Sequence, residues 1–196
     1  NYQGNKQRYE YDPNNNLVKK IDFNGNRSSY NYDKLNRLLE VTFADGSSKS
    51  FEYDSLGNII RAENKHSQER FYYDELSRLV KVDVDKVAEA GENDWIINYS
   101  YNSIGRRTSV KVSEGAENIW ETSYQYDELN RLIKVELPKG EDISFEYDKV
   151  NRVIEQINGN RTGTSYSYTQ RGRVEEIVHW KKDNGVKEIL GSYGYI

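Results

Sequence analysis

The nine residues Asn31-Tyr32-Asp33-Lys34-Leu35-Asn36-Arg37-Leu38-Leu39 decide the fold, because near-copies of them recur along the chain. The copies are YYDELSRLV from Tyr72, QYDELNRLI from Gln125 and EYDKVNRVI from Glu146. A phrase that recurs at intervals is typical of a repeat architecture, in which each copy is one supersecondary unit. We therefore interpret the phrase as part of a scaffold rather than as a single chemical site.

A pair of aromatic residues, separated by one residue and ending in tyrosine, occurs nine times. The tyrosines that end these pairs are Tyr11, Tyr32, Tyr53, Tyr73, Tyr101, Tyr126, Tyr147, Tyr168 and Tyr195. Successive members are 21, 21, 20, 28, 25, 21, 21 and 27 residues apart. Aspartate follows the tyrosine at Asp12, Asp33, Asp54, Asp74, Asp127 and Asp148. Asn102 and Thr169 take its place in two other repeats.

Each repeat predicts a β-hairpin. Side chains two residues apart point to the same face of a strand, and Tyr and Phe favour a half-buried sheet surface. The aspartate is expected to open a tight turn by accepting hydrogen bonds from the backbone amides that follow it. An aliphatic pair such as Leu38-Leu39 then begins the returning strand.

Two further positions of the repeat have a physical interpretation. Three residues after the turn aspartate, or its replacement, stands a residue that tolerates positive φ, as a type I turn closed by a bulge requires. These residues are Asn15, Asn36, Gly57, Ser77, Gly105, Asn130, Asn151 and Gly172. Arginine follows at Arg37, Arg78, Arg106, Arg131, Arg152 and Arg173. We expect it to pair with an aspartate of the same or a neighbouring repeat and so to help fix the register.

The second connection in each repeat is expected to be looser, with Asn24-Gly25, Asp45-Gly46, Gly140, Asn158-Gly159 and Asn184-Gly185 as its turn residues. Two strands and two turns leave no room for a helix, and only residues 86–92 provide space for a short helical or irregular excursion. The sequence therefore predicts an all-β fold of tandem antiparallel β-hairpins in a curved or spiralling strip. Residues 1–196 form a single array of about eight repeats, which we interpret as a fragment of a larger protein.

Composition narrows the classes of function. The 28 basic and 32 acidic residues are interleaved, and the net charge of -4 includes no basic block that would favour nucleic acid as a partner. Cysteine is absent, which excludes disulfides and thiolate chemistry. No apolar run has the roughly 20 residues of a membrane-spanning helix. Aromatic residues make up 13% of the chain, so burial is expected to depend largely on tyrosine.

The phrase Tyr-Asp-x-Leu-x-Arg-Leu, with Asn-Gly or Asp-Gly turns between copies, resembles the YD repeat of the RHS family, which occurs in bacterial Rhs and wall-associated proteins, insecticidal toxin complexes and teneurins. The resemblance extends from Tyr9 to Tyr195. It implies a strip of hairpins that spirals into a hollow shell, which in toxin members encloses a polypeptide. The autoproteolytic segment of such shells is built on Asp-Pro-x-Gly-Leu, whereas Asp12-Pro13 continues here as Asn14-Asn15, so that activity is not carried over.

The sequence predicts a protein that is not an enzyme, with no catalytic residue, cofactor or metal site. His66 and His179 lie at no spacing that resembles a triad, and we interpret them as solvated or turn-adjacent. The aspartates belong to a repeated turn, whereas a glycosidase pair would be needed once. The cluster around Asp12 lacks the ligand order of a calcium-binding loop.

The three longer repeats contain Trp95, Trp120 and Trp180. These rings are expected either to pack in the core or cap a sheet edge, or to form a platform on which sugars stack.

Two functional hypotheses follow. The first is a structural segment of a large secreted or surface bacterial protein, whose partners are flanking repeats and an enclosed or displayed polypeptide. The second is a carbohydrate- or cell-surface-binding adhesion module that uses exposed Tyr and Trp. In either case open strand edges predict self-association, and the resemblance implies an extracellular or cell-surface location.

Overall fold

The computed structural model describes residues 6–86, 95–115 and 118–195, without the side chains of residues 118 and 119. These residues form strands and turns, and they include no helix. The strands are β1 Arg8–Tyr11, β2 Leu17–Ile21, β3 Arg27–Tyr32, β4 Leu38–Thr42, β5 Ser48–Tyr53, β6 Ile59–Asn64, β7 Ser67–Tyr73, β8 Leu79–Lys86, β9 Trp95–Tyr101, β10 Arg107–Glu114, β11 Asn118–Tyr126, β12 Leu132–Glu136, β13 Ile143–Tyr147, β14 Val153–Asn158, β15 Thr162–Tyr168, β16 Val174–Asp183 and β17 Val186–Gly194. The predicted all-β fold of antiparallel hairpins is confirmed. Residues 87–92 of the predicted excursion lie outside the described residues.

The chain divides into two compact units. The first extends to Asn98 and includes Ser113–Asn118, and the second comprises Tyr99–Val112 and the residues from Ile119 onward. In the first unit, strands β1 to β8 and the start of β9 pair with their sequence neighbours in antiparallel order. In the second unit, strands β11 to β17 do the same.

The Tyr-Asp turns have the bulged geometry that the sequence predicts. In the turn after β3, the Asn36 amide donates to the Asp33 carbonyl at 3.1 Å, and the Asp33 amide donates to the Arg37 carbonyl at 2.9 Å. The strand register shifts between Asn31 and Tyr32, which places the bulge beside the turn. Positive φ is found at all eight predicted positions, from 56° at Ser77 to 91° at Gly57. The residue pattern therefore determines the turn.

The expectation of looser second connections is wrong for two of them. The Gly25 amide donates to the Asp22 carbonyl, and the Gly46 amide donates to the Phe43 carbonyl, so these turns close as tightly as the Tyr-Asp turns. Between β14 and β15 the residue with positive φ is Arg161 rather than Gly159. Gly159 serves a different purpose, because a Cβ there would lie 2.6 Å from the Cα of Glu141.

The strands separate an apolar face from a charged face. Phe51 lies opposite Ala62, and Phe71 lies opposite Val82, with both aliphatic partners buried. On the other face of the same hairpins, Arg61 forms ion pairs with Glu52 at 3.1 Å and Glu63 at 2.9 Å. Alternation of side chains along a strand produces this division. The apolar face therefore contains the thin core of the first unit.

Candidate functional site

The turn aspartate organises each turn through one carboxylate oxygen. Oδ1 of Asp33 accepts hydrogen bonds from the amides of Leu35 at 2.8 Å and Arg37 at 2.9 Å. The same two bonds form at Asp12, Asp54, Asp74, Asp127 and Asp148. Each of these aspartates therefore caps its own turn in the structure. Asn102 provides an equivalent oxygen, and the Thr169 hydroxyl accepts from the Arg173 amide at 3.2 Å.

The second oxygen of the aspartate binds the arginine of the same turn. Oδ2 of Asp33 accepts from Nε of Arg37 at 2.6 Å, and equivalent pairs join Asp74 with Arg78, Asp127 with Arg131, and Asp148 with Arg152. The sequence left open whether the arginine pairs with an aspartate of its own repeat or of a neighbouring one. In these four turns the ion pair lies within the repeat.

The arginine also reaches the next hairpin. The Arg37 guanidinium lies 4.7 Å from the centroid of the Tyr53 ring and donates to the Asp54 carbonyl at 3.0 Å. Arg131 lies 4.6 Å from the Tyr147 ring, and Arg152 lies 4.4 Å from the Tyr168 ring. A guanidinium at this distance over an aromatic face is attracted by the ring quadrupole. The arginine thus connects its own turn to the tyrosine of the following repeat.

Two turns have asparagine in place of this arginine. Nδ2 of Asn16 donates to Oδ2 of Asp12 at 2.9 Å and to Oδ1 of Asn36 at 2.8 Å. Nδ2 of Asn58 donates to Oδ2 of Asp54 at 2.8 Å and lies 3.5 Å from the Ser77 hydroxyl. The amide preserves the contact with the aspartate but is too short to stack on the next tyrosine.

The tyrosine hydroxyl forms a second connection between hairpins. Tyr53 donates to the Leu38 carbonyl at 2.8 Å, and Tyr147 donates to the Leu132 carbonyl at 2.7 Å. Tyr32, Tyr73, Tyr126 and Tyr168 make the same bond to Leu17, Ile59, Arg107 and Val153. Each acceptor is the first residue of the returning strand in the preceding hairpin. Sequence reasoning missed these acceptors, because the tyrosine spacing identifies the donor but not the strand register that selects its acceptor.

Electrostatics at the turns follow from these contacts. The hydrogen bond from the Arg37 amide is the main cause that holds the pKa of Asp33 below its ordinary value, with the Arg37 side chain adding to it. At Asp54 the side-chain amide of Asn58 is the main cause of the lowered pKa. Burial raises the pKa of Tyr147. The turns therefore favour ionised aspartates and neutral tyrosine.

The three tryptophans occupy different environments. Trp180 is 2% exposed, and its indole nitrogen donates to the Ser165 hydroxyl at 3.0 Å. Gly163 leaves room for the ring, because a Cβ there would lie 2.2 Å from Trp180. Trp180 is thus a core residue and is excluded as a stacking platform. Trp95 is half-buried in β9, whereas Trp120 is 41% exposed in β11.

The two histidines, which are the remaining candidate catalytic residues, lie in separate places and make separate contacts. The amide of His66 donates to Oδ1 of Asn64 in a turn, and Nδ1 of His179 lies 3.0 Å from the Thr164 hydroxyl. A depression of about 630 Å³ lies against the Thr169 turn and includes Glu175 and Tyr195. Within the described ranges, no cluster of three or more metal-ligating side chains occurs. In the same ranges no helix has the length and apolar character needed to cross a bilayer.

Two family models match the sequence. The model described as RHS Repeat matches residues 32–65, and the model described as Teneurin YD-shell matches residues 83–187. A search of curated proteins finds no significant match.

Solved structures with a similar fold come from Tc toxins. TcdB2-TccC3 without its hypervariable C-terminal region aligns with a TM-score of 0.57 at 11% identity, over 91% of this chain and 12% of that chain. The Photorhabdus luminescens Tc holotoxin pore aligns with a TM-score of 0.53 at 13% identity, over 91% of this chain and 13% of that chain. The chain therefore spans about an eighth of the length of these Tc toxin structures. At these identities the similarity concerns the fold.

Proposed function

The chain belongs to the YD-shell family of RHS-repeat proteins, and from that premise we propose that it is a wall segment of a β-shell in a large secreted or surface bacterial protein. In this role it encloses or displays another polypeptide. Its mechanism is steric, since hairpins placed side by side pair the backbone groups that each would otherwise expose. Its partners are the flanking repeats and the enclosed polypeptide.

The proposal rests on the contacts that the repeated side chains make between neighbouring hairpins. Asp33 and Arg37 stabilise one turn, and Arg37 then contacts Tyr53 and the Asp54 carbonyl of the next hairpin. Tyr53 in turn binds the Leu38 carbonyl of the hairpin before it. Where the turn carries arginine, the repeat therefore uses its charged and hydroxyl side chains to join its neighbours. This arrangement supports a scaffold that is not an enzyme.

Protease protection tests the enclosing role. The complete translation product that carries these repeats would be digested under native conditions, and cleavage of segments outside the repeats would be followed by mass spectrometry. We expect one such segment to resist cleavage in the wild type and to become sensitive when Arg131→Ala and Arg152→Ala loosen the wall. Lys149→Ala, at an exposed turn tip, serves as the control. Equal cleavage of every outside segment in the wild type would overturn the proposal.

The adhesion module remains a second candidate because Trp120 is 41% exposed. An exposed indole provides an apolar face on which a sugar ring can stack. A glycan array would test this function, with binding expected in the wild type and lost in Trp120→Ala at an unchanged unfolding midpoint. Trp180→Ala is unsuitable for this purpose, since it removes a core residue. Absence of binding to any glycan would eliminate this candidate.

We also propose an extracellular or cell-surface location and self-association of the chain. An extracellular or cell-surface location is proposed from family membership alone. Strand β17 pairs with β16 and carries exposed Val186, Ile189 and Leu190. Exposed apolar side chains on a strand favour association with another chain. This feature supports the predicted association through open edges.

A further inference from the structure

Exposed leucines stand at the tips of three successive Tyr-Asp turns in the first compact unit. Leu35 is 71% exposed, Leu56 is 76% exposed and Leu76 is 71% exposed. Each lies two residues after the turn aspartate and contributes its backbone amide to the aspartate cap. Any residue other than proline could supply that amide. The turn therefore does not explain why an aliphatic side chain recurs at this exposed position.

Direct contacts place these turns side by side. Nη1 of Arg37 donates to the Asp54 carbonyl at 3.0 Å, which joins the first turn to the second. Nδ2 of Asn58 lies 3.5 Å from the Ser77 hydroxyl, which joins the second turn to the third. Consecutive Tyr-Asp turns are two strands apart, so the leucine tips are spaced by about 10 Å. We call Leu35, Leu56 and Leu76, with the residue before each, the leucine rim.

The charges of the leucine rim are self-complementary. The residues before the leucines are Lys34, Ser55 and Glu75, all exposed. The rim therefore carries a positive, a neutral and a negative side chain in order. When two such rims face each other in opposite directions, Lys34 of one copy meets Glu75 of the other, and Leu35 meets Leu76. A two-fold axis through Leu56 produces both charge pairs at once.

We propose that the leucine rim is an interface through which two copies of this chain associate about a two-fold axis. The occupant of the rim is a second copy, because the order of charges complements its own reverse. Three leucines on each side bury less than the roughly 1,200 Å² of a stable complex, so the dimer is weak and transient. A wall segment does not require this dimer, so failure of the inference leaves the proposed function intact.

Sedimentation velocity of the 196-residue chain, from micromolar to near-millimolar concentration, tests the interface. We expect a reversible monomer–dimer equilibrium that weakens as salt is added. Leu56→Ser should raise the dissociation constant by about tenfold or more, because it removes an aliphatic side chain from each side of the axis. The unfolding midpoint should stay unchanged, since Leu56 is exposed.

Exchange of the charges at Lys34 and Glu75 tests whether these two residues meet across the interface. Lys34→Glu alone and Glu75→Lys alone should each weaken the dimer, and the double variant should restore it, because the two charges then meet in reverse. Val150→Lys, at the equivalent turn position of the second compact unit and 65% exposed, is the matched control and should leave the dimer unchanged. A chain that stays monomeric throughout would overturn the inference. So would a double variant without recovery, or an association that survives Leu56→Ser and is lost in Ile189→Lys, which would assign it to strand β17.

Discussion

The turn Asp33–Arg37 and the turn Asp54–Asn58 have the same backbone but join their neighbours differently. In both, Oδ1 of the aspartate accepts two amides, and a residue with positive φ, Asn36 or Gly57, completes the bulge. In the first turn the arginine stacks on the next tyrosine at 4.7 Å. In the second, the asparagine amide extends only to a serine hydroxyl at 3.5 Å.

The difference separates two functions within one repeat. Formation of the hairpin depends on the aspartate and the positive-φ residue, because both kinds of turn retain them. Attachment to the next hairpin varies, because it depends on the length and charge of the residue four positions after the aspartate. That residue is Arg37 in one turn and Asn58 in the other. The repeat can therefore lose one attachment without losing its fold, and the tyrosine hydroxyl supplies a second attachment in both cases.

The largest loss in free energy of unfolding is expected from a substitution in the core, away from both kinds of turn. Trp180→Ala should destabilise the chain by about 3–5 kcal/mol, since it removes a buried indole and leaves a cavity. Urea denaturation followed by circular dichroism measures this loss. Trp120→Ala is the control and should cost far less, because its ring is partly exposed. Equal losses at the two positions would contradict the assignment of Trp180 to the core.

Acid should weaken both kinds of turn together. The pKa values of Asp12, Asp33, Asp54, Asp74, Asp127 and Asp148 are all lowered by folding. A lowered pKa in the folded state stabilises it above the unfolded value of about 3.9, and this stabilisation is lost as the pH falls through the folded values. The urea midpoint should therefore drop steeply below about pH 4.

Comparison of the two kinds of turn shows how much the ion pair adds to the aspartate cap. Asp33→Asn should cost more at neutral pH than Asp54→Asn, because only Asp33 also loses an ion pair with arginine. A midpoint that stays level from about pH 6 to about pH 3 would contradict the role of ionised aspartates.

Removal of one arginine tests the stronger attachment. Arg131→Ala should destabilise the chain by about 1–2 kcal/mol, because it removes the contacts with Asp127, the Tyr147 ring and Asn151. Asn58→Ala removes only amide hydrogen bonds and should cost less. Arg131→Lys should fall between them, since lysine keeps the charge without the planar fork. Urea denaturation of the three variants provides the comparison, and a smaller loss in Arg131→Ala than in Asn58→Ala would refute it.

The hydroxyl attachment should be the same after either kind of turn. Tyr73 follows an asparagine turn and Tyr147 follows an arginine turn, yet each donates to a carbonyl of the preceding hairpin. Tyr73→Phe and Tyr147→Phe should each cost about 1 kcal/mol, the typical value for one hydrogen bond. A loss confined to Tyr147 would mean that the hydroxyl bond depends on the arginine.

Local features of the fold were predictable from the sequence. The cap at Asp33 and the positive φ at Asn36 follow from residues a few positions apart, and the structure has both. The tight closure at Asp22 was missed because Asn24-Gly25 alone does not specify which amide closes the turn.

Features that depend on contacts between hairpins were not predictable. The bond from Tyr53 to the Leu38 carbonyl depends on the register and twist of neighbouring strands. The burial of Trp180 depends on the space that Gly163 leaves on the adjacent strand. In both cases the sequence identifies the side chain but not its partner.

Arginine joins its turn to the tyrosine of the next hairpin, and a double-mutant cycle measures this connection. The free energy of unfolding would be measured for Arg131→Ala, Tyr147→Leu and the double variant, and for Asn58→Ala, Tyr73→Leu and their double variant. We expect a coupling of about 0.5–1 kcal/mol between Arg131 and Tyr147. Between Asn58 and Tyr73 we expect a coupling within about 0.3 kcal/mol of zero. Additive losses at Arg131 and Tyr147 would contradict this connection.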